Sequence, residues 1–237
     1  EYGLEVDFSE TRTLCIERPA GIGASVDVMG GPDNPFVATI GLRIEPAPVD
    51  SGLDYGLEVE LGCLPLSFHK AIQETVIETL RQGLFGWPLL DARIRLTDAA
   101  YSSPVSTAAD FRGLTPLVIM DALRAAGSEV YEPVNRFHLE FPVDLLGRML
   151  PAIAKMGAVP EIPMVRETVG VLEGTIAVAR VRDLKIVLPG LTRGEGLFEY
   201  AFDHYDRVRD PEPPTQPRRD NNPLNRREYL LHVVRRV

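Results

Sequence analysis

The sequence predicts an α+β protein with two folded regions, and three observations lead to that prediction. Apolar and polar residues alternate over strand lengths in the first part of the chain, which indicates β-strands. A helical period then begins at Phe68. In the second half, the patterns follow the order β-α-β-β-α-β, which is the order of a ferredoxin-like domain. A chain of 237 residues is long enough for each region to bury its own core.

The first region consists of strand patterns, a turn and a helix. TRTLCIERP, PFVATIGLRIEPAP and YGLEVELGC have strand patterns, and GGPDNP has the Gly, Pro and Asn content of a turn. Phe68, Ile72, Val76 and Leu80 recur every four residues, which predicts a helix that ends by Gly83. DARIRLTDA then returns to a strand pattern.

A short polar loop with a central proline follows in YSSPVSTAADFR. Thr107 lies three residues before Asp110, which is the spacing of a capping box, so a second helix is predicted from there to Gly127. The loop is then held by a strand on one side and by a capped helix on the other. We expect it to form a rigid tip.

The second region starts at Val134. RFHLEFP, VPEIPMVRE, GVLEGTIAVA and GLFEYAFDHYD have strand patterns, whereas VDLLGRMLPAIAKMG and RVRDLKIVLPG have helical ones. We place the boundary between the regions in a linking segment at residues 127–133. The proline-rich DPEPPTQP leads to a last helix within NPLNRREYLLHVVRRV. Residues 218–237 contain six arginines against Asp220 and Glu228, so basic charge is concentrated there.

Composition argues against several classes of function. A net charge of −9 is unfavourable for broad, non-specific binding to nucleic acid, so any such contact must be local. No apolar run approaches the ~18 residues of a membrane span, and no signal-peptide pattern is present, which is typical of a cytoplasmic protein. Cys15 and Cys63 have no CxxC spacing and are interpreted as free thiols. Because the chain starts at Glu1 within a strand pattern, we interpret it as a piece of a longer protein.

Sequence motifs for catalysis are lacking. The sequence has no phosphate-binding P-loop, zinc-ligand spacing, EF-hand or nucleophile elbow. DHYD, at residues 203–206, contains residue types found in acid–base and metal sites, but neighbouring side chains on a strand point to opposite faces. We therefore expect no enzymatic activity, no metal and no cofactor in this chain.

Several longer phrases resemble one family. PFVATIGLRIEPAPVDSGLDYGLEVELG, GLFGWPLLDARIRLTDAAYSSPVSTAADFRGLTP, VYEPVNRFHLEFP and QPRR are similar to the C-terminal half of the tetracycline-resistance ribosomal protection proteins, GTPases related to elongation factor G. The likeness is greatest to the oxytetracycline-resistance branch. SPVSTAADFR is highly specific, whereas FDHY also resembles elongation factor G itself.

The resemblance implies a division into domains. Residues 1–11 would end domain III, and residues 12–131 would form domain IV, with the fold of the second domain of ribosomal protein S5. Residues 132–207 would form the ferredoxin-like domain V, and residues 208–237 a proline-rich connector with a basic C-terminal helix. The GTP-binding domain, with its GTP and Mg²⁺, would precede Glu1, so we expect no GTP hydrolysis from this chain.

The resemblance also implies a ribosome contact at the tip of domain IV. The tip would meet small-subunit ribosomal RNA at the decoding centre, where Pro104 would stack on a base and take the place of the drug. The contact loop would comprise Tyr101, Ser102, Ser103, Pro104, Val105 and Ser106. Two neighbouring tip loops would comprise Gly30, Gly31, Pro32, Asp33, Asn34 and Pro35, and Cys63, Leu64, Pro65, Leu66 and Ser67. In the closing helix, RNA phosphates would be bound by Arg226, Arg227, Arg235 and Arg236.

Further partners follow from the same resemblance. Domain V would reach the stalk base of the large subunit, and neither a membrane nor DNA is expected as a partner. The chain departs from many relatives at Ser102, where they carry a second tyrosine, and at Ala108, where they carry a proline. Backbone contacts and Pro104 are then expected to carry the interaction.

Alternatives remain open from the residues alone. SPVST is equally a plain turn stiffened by Pro104 and capped by Thr107. The closing helix could serve only for packing, through Tyr229, Leu230 and Val233. At the level of function, the alternatives are a translocase of the elongation factor G type and an adaptor that binds a protein through its ferredoxin-like sheet.

Overall fold

The computed structural model of the chain describes residues 13–234, which divide into two compact units. Of the described residues, the larger unit contains 15–131 and 208–234, and the smaller unit contains 13–14 and 132–207. Each unit has an apolar core of its own. None of the helices within residues 13–234 is long and apolar enough to cross a membrane.

The larger unit contains a four-stranded sheet with two helices on one face. Its strands and helices are β1 (Ile16–Pro19), β2 (Gly23–Asp27), β3 (Ala38–Pro46), β4 (Leu53–Leu57), α1 (Leu66–Thr79), β5 (Ala92–Tyr101) and α2 (Ala108–Ala126). The sheet order is β2-β3-β5-β4, with β4 parallel to β5 and the other pairs antiparallel. Helix α2 packs on β2 and β3, and α1 packs on α2.

Alternation along the strands of this sheet decides which side chains are buried. Ile40, Leu42 and Ile44 on β3 are fully buried in the core, together with Ile94 and Leu96 on β5. The intervening positions carry arginines and acids that face away from the core. This is the expected pattern for a sheet that is covered on one side only.

The smaller unit is ferredoxin-like, as predicted. Its elements are β6 (Ser128–Pro142, shared with the larger unit), α3 (Leu146–Lys155), β7 (Val159–Pro160), β8 (Met164–Arg166), β9 (Val169–Ala177), α4 (Val178–Leu191) and β10 (Leu197–Arg207). Strand β6 lies between β10 and β9, and β7 and β8 both pair with β9. The core is formed by the inward sides of the strands and of α3 and α4. The predicted α+β fold class is confirmed.

Two predicted boundaries are corrected. The linking segment at 127–133 is strand from Ser128 onward, because β6 runs to Pro142 without a break. Its residues 128–131 pair with β1, and residues 134–142 pair with β9. The strand predicted to reach Cys63 ends at Leu57, and residues 61–63 form a 3-10 turn. A register shift opposite Gly41 and Leu42 adds one residue to β5 after Leu96, and β3 pairs with β5 on both sides of this bulge.

The C-terminal segment belongs to the larger unit. Residues 208–225 contain no helix or strand, and α5 (Arg226–Val233) follows. The side chain of Asn225 caps α5 by accepting a hydrogen bond from the Glu228 amide. The segment is held by Trp87, whose ring nitrogen donates to the Pro214 carbonyl at 2.7 Å, and by Gln216, whose amide donates to the Phe85 carbonyl at 2.8 Å.

Candidate functional site

The three predicted tip loops lie at one end of the larger unit, where residues that closely follow two of them contact the third. The hydroxyl of Ser106 donates to the carbonyl of Val37, which follows the 30–35 loop, at 2.5 Å. The ring of Phe68, in the first turn of α1, meets the ring of Tyr101 edge-on with centroids 5.8 Å apart. Phe68 also stacks on Phe111 of α2, so the third loop is tied to the same core. The structure therefore brings the three loops together.

The 101–106 loop is closed by two hydrogen bonds at its base. The Ser102 amide donates to the Ser106 hydroxyl oxygen, and the Ser106 amide donates to the Ser102 carbonyl, both at 2.8 Å. The Ser103–Pro104 peptide bond is cis. Ser103, Pro104 and Val105 are exposed, whereas Ser102 and Ser106 are half-buried. The loop thus presents its three central residues, and the Ser106 hydroxyl is engaged inside it.

The capping box predicted for α2 is present and reaches a second loop. The Thr107 amide donates to one oxygen of the Asp110 carboxylate at 2.8 Å, and the Val37 amide donates to the other at 3.2 Å. Burial alone would raise the pKa of Asp110, but hydrogen bonds from Thr107 and from backbone amides outweigh it and lower that pKa. Asp110 therefore stays ionised and fixes the helix start against the 30–37 segment.

The 30–35 loop is organised from within by Asn34. This side chain is buried, donates to the carbonyls of Val28 at 3.1 Å and Ala38 at 3.0 Å, and accepts from the Phe36 amide at 2.9 Å. Gly30 has a φ of 79°, a conformation that favours glycine. Gly30, Pro32 and Asp33 are exposed, whereas Asn34 faces inward and is a structural residue of the turn.

The 63–67 loop has a buried and an exposed side. Leu64 lies in the core, and Cys63 is half-buried, where burial and the nearby Glu60 carboxylate raise the pKa of its thiol. The exposed positions are Pro65, Leu66 and Ser67, with Leu66 64% exposed. The predicted loop ends earlier than expected, because Leu66 and Ser67 are the first two residues of α1.

One positioning residue of this loop was missed by the sequence analysis. The His69 side chain is buried, and its ring Nε2 lies 3.1 Å from the carbonyl of Leu61 in the 3-10 turn. A carbonyl only accepts, so this nitrogen carries the proton. A single histidine on a helix gives no local signal of such a contact.

The exposed surface of the tip has almost no charge. The segments 30–35, 63–67 and 101–106 contain no lysine or arginine, and Asp33 is their only acid. Val105 is 60% exposed, beside the exposed ring of Pro104. Such a surface is suited to stacking and to backbone or hydroxyl hydrogen bonds, and it is poorly suited to phosphate attraction.

The arginines of α5 lie in different surroundings. Arg226 forms an ion pair with Asp27 and donates to the carbonyl of Asp33 at 2.9 Å, so its guanidinium faces the protein. Arg227 is exposed. The remaining two predicted phosphate-binding residues, Arg235 and Arg236, lie outside the described residues.

The packing residues of α5 are mostly those predicted. Tyr229 is buried, donates to the Gly113 carbonyl at 2.9 Å, and has its pKa raised to about 12, first by burial and then by Asp220. Leu230 packs on the core as well. Val233, which was predicted to pack on the core, is 39% exposed. Val234 packs against the core instead.

Comparisons with known proteins identify the families that this chain resembles. The family model of elongation factor G domain IV matches residues 28–127, and that of the elongation factor G C-terminus matches residues 129–215. The chain is 45% identical to the oxytetracycline resistance protein of Streptomyces rimosus, covering 100% of this chain and 36% of that protein. It is 38% identical to the tetracycline resistance protein TetP of Clostridium perfringens, with the same shares covered.

A third relative and a solved structure complete the comparison. The tetracycline resistance protein TetM of Streptomyces lividans is 43% identical over 84% of this chain and 31% of that protein. A crystal structure of a Thermus thermophilus protein, designated ttk003000868, matches with a TM-score of 0.71 and 22% identity, over 100% of this chain and 34% of that one. The chain thus spans about a third of the length of the curated relatives it matches.

Proposed function

Since the chain belongs to the tetracycline resistance ribosomal protection proteins, which carry elongation factor G-like domains IV and C-terminal domains, we propose that it is the ribosome-binding arm of such a protein. Its tip would reach the decoding centre of the small subunit and dislodge tetracycline. The observation that carries this proposal is the closed 101–106 loop, which holds Ser103, Pro104 and Val105 exposed on a rigid base.

The mechanism rests on the shape and rigidity of that loop. A proline ring is an apolar face of fixed shape, and unpaired bases of RNA are recognised by stacking on such platforms. The two hydrogen bonds between Ser102 and Ser106 order the loop before it binds, which lowers the entropic cost of association. Pro104 would stack on a base beside the drug and occupy part of its binding surface.

The other tip residues have graded roles in the proposal. Tyr101, Ser103 and Val105 would contact RNA directly, and so would the exposed Pro32, Asp33, Pro65, Leu66 and Ser67. Ser106, Asn34 and Leu64 would shape the tip from inside. In α5, Arg227 is available for a phosphate contact, together with the proposed Arg235 and Arg236, whereas Arg226 is engaged within the protein.

The domain assignment is part of the same proposal. Residues 12–131 would be domain IV, 132–207 domain V and 208–237 the connector and closing helix, after the last residues of domain III. The family-model matches and the limits of the two compact units support this division. Domain V would contact the stalk base of the large subunit, and the protein would act in the cytoplasm.

GTP hydrolysis is proposed for the longer protein only. Neither matched family model is that of a GTP-binding domain. Residues 13–234 contain no group of three or more His, Cys, Asp or Glu side chains that could hold a metal ion. GTP and Mg²⁺ would bind in the rest of the parent protein, and hydrolysis there would release the factor from the ribosome.

A drug-release assay tests the proposed function. Ribosomes carrying labelled tetracycline are mixed with the full-length protein, either native or with Pro104→Ala. We expect release to fall about ten- to a hundredfold, the range for loss of one stacking contact. Pro48→Ala is the matched control, since Pro48 is also exposed and lies beyond the opposite end of β3 from the tip. Deletion of residues 103–105 should abolish release and leave GTP hydrolysis intact.

The outcomes separate the proposal from the translocase alternative. Equal release by the native protein and the deletion variant would mean that the tip is a passive turn. Absence of release even by the native protein, with translocation activity retained, would favour a translocase of the elongation factor G type.

A further inference from the structure

The C-terminal helix presents two neighbouring arginines to different surroundings. On α5, Arg226 and Tyr229 are three residues apart and therefore share one face of the helix. Tyr229 on that face is buried against Gly113 of α2. Arg227, one position on, is exposed on another face. Arg226 therefore contacts other parts of the protein, whereas the neighbouring Arg227 faces solvent.

The guanidinium of Arg226 bridges two parts of the chain that belong to the tip. Asp27 is the last residue of β2, and its side chain is 15% exposed in the ion pair. Asp33 lies in the 30–35 loop, and its carbonyl accepts a hydrogen bond from the same nitrogen, Nη2, at 2.9 Å. Nη2 carries two hydrogens, so this one nitrogen can donate to both acceptors at once.

An open groove of about 810 Å³ lies between the 30–35 loop and α5, and its lining includes Pro32, Pro35, Arg227 and Leu231. The contact between Arg226 and the Asp33 carbonyl spans the two walls of this groove. On its other side, the loop continues through Val37 to the Ser106 hydroxyl and hence to the base of the Pro104 loop.

We propose that Arg226 is a positioning residue of the tip. By holding Asp27 and the Asp33 carbonyl together, it fixes the 30–35 loop from behind, and the C-terminal helix thereby sets the geometry of the surface that meets RNA. This inference rests on the proposed function for its consequence at the ribosome. The hold of Arg226 on the loop can be tested without ribosomes.

Amide hydrogen exchange in the 237-residue chain is the primary test. In Arg226→Ala, we expect the amides of Gly31 and Asn34, which close turns within the loop, to exchange at least about tenfold faster. Arg227→Ala removes the same charge from the adjacent position and should leave this exchange unchanged. Arg226→Lys keeps the charge and should restore protection only partly. If Arg226→Ala leaves exchange at Gly31 and Asn34 unaltered, Arg226 does not hold the loop.

Two further measurements distinguish a loss of loop positioning from a loss of folding, and failure of this inference from failure of the proposed function. Exchange at amides of β3 and β5 reports whether the core of the larger unit is intact, and these should be unaffected. In the release assay, Arg226→Ala should reduce tetracycline release several-fold, with the exposed Arg81→Ala, just beyond α1, as control. Normal release by Arg226→Ala, where Pro104→Ala reduces release as expected, would overturn the inference and leave the proposed function standing. If Pro104→Ala releases the drug normally, the proposed function fails. The exchange measurement alone then decides whether Arg226 positions the 30–35 loop.

Discussion

Two exposed surfaces of the larger unit differ in their chemistry. On the open face of the sheet, Arg43, Arg93 and Arg95 alternate with Glu45, Asp54 and Glu58 in a connected set of ion pairs. At the tip, the exposed residues are proline, serine and aliphatic side chains, and the loop segments have no basic residue.

The comparison shows that an abundance of arginine is a poor guide to a nucleic-acid contact. The sheet-face arginines are neutralised by neighbouring acids, so they offer no unpaired charge to a phosphate. The tip loops offer no positive charge either, but they are ordered by internal hydrogen bonds and expose a stacking surface. Rigidity and exposed ring surface, rather than charge, distinguish the candidate site.

Among the changes that compare these two surfaces, the largest effect is expected from loosening the tip. Ser106→Ala removes the acceptor of the Ser102 amide and the donor to the Val37 carbonyl. Tetracycline release should fall at least about tenfold, and the free energy of unfolding should drop by about 2 kcal/mol, as expected for two lost hydrogen bonds. Release kinetics and chemical denaturation measure the two effects. Ser103→Ala, at an exposed position of the same loop, should leave the free energy of unfolding unchanged.

A smaller effect is expected when the tip is given a charge. Val105→Lys places a cation beside Pro104 on a surface that has none. The dependence of ribosome binding on salt should steepen, with the slope of log K against log salt changing by about 0.7, as for one added phosphate contact. Val49→Lys, at a position that is 64% exposed beyond the far end of β3, is the control. If Pro104→Ala made ribosome binding markedly less dependent on salt than it is in the native protein, the interpretation of an uncharged contact would be contradicted.

The smallest effect is expected on the open sheet face. The hydrogen bond from Arg95 is the main cause that lowers the pKa of Asp54, so this pair favours the folded state above the ordinary pKa of 3.8. Its contribution is lost as the pH falls through the lowered value. Asp54→Asn should leave ribosome binding unchanged and the denaturation midpoint at neutral pH nearly so, because the pair is exposed and screened by solvent. A marked loss of ribosome binding would show that the sheet face takes part in it.

Local sequence patterns were sufficient for most of the fold. The helical period from Phe68, the capping box at Thr107 and the ferredoxin-like order all correspond to elements of the structure, since each depends on residues close together in the chain. The end of β4 was misplaced because the alternating pattern continues beyond Leu57, the last residue of β4 that pairs with β5. The continuous β6 was missed because its first residues, 128–131, pair with β1, which lies more than 100 positions earlier in the chain.

The inner organisation of the site could not be predicted in the same way. Asparagine is a common residue in turns, so the sequence indicates a turn at Asn34, but only the structure shows that its side chain points inward. Ser106 and Val37 are 69 residues apart, and Arg226 and Asp27 are 199 residues apart. Contacts at such separations depend on the packing of the whole unit, so a residue that is predicted to be a ligand can instead be a support.

Photo-crosslinking from the tip is the most direct test of the central claim that the 101–106 loop occupies the tetracycline site. A photoreactive side chain would replace Val105 in the full-length protein, and Val49 in a matched control with similar exposure. We predict that position 105 crosslinks to small-subunit ribosomal RNA at the tetracycline site, that excess tetracycline suppresses the crosslink, and that position 49 gives none there. A crosslink from position 105 that maps elsewhere, or that persists unchanged with the drug bound, would contradict the account.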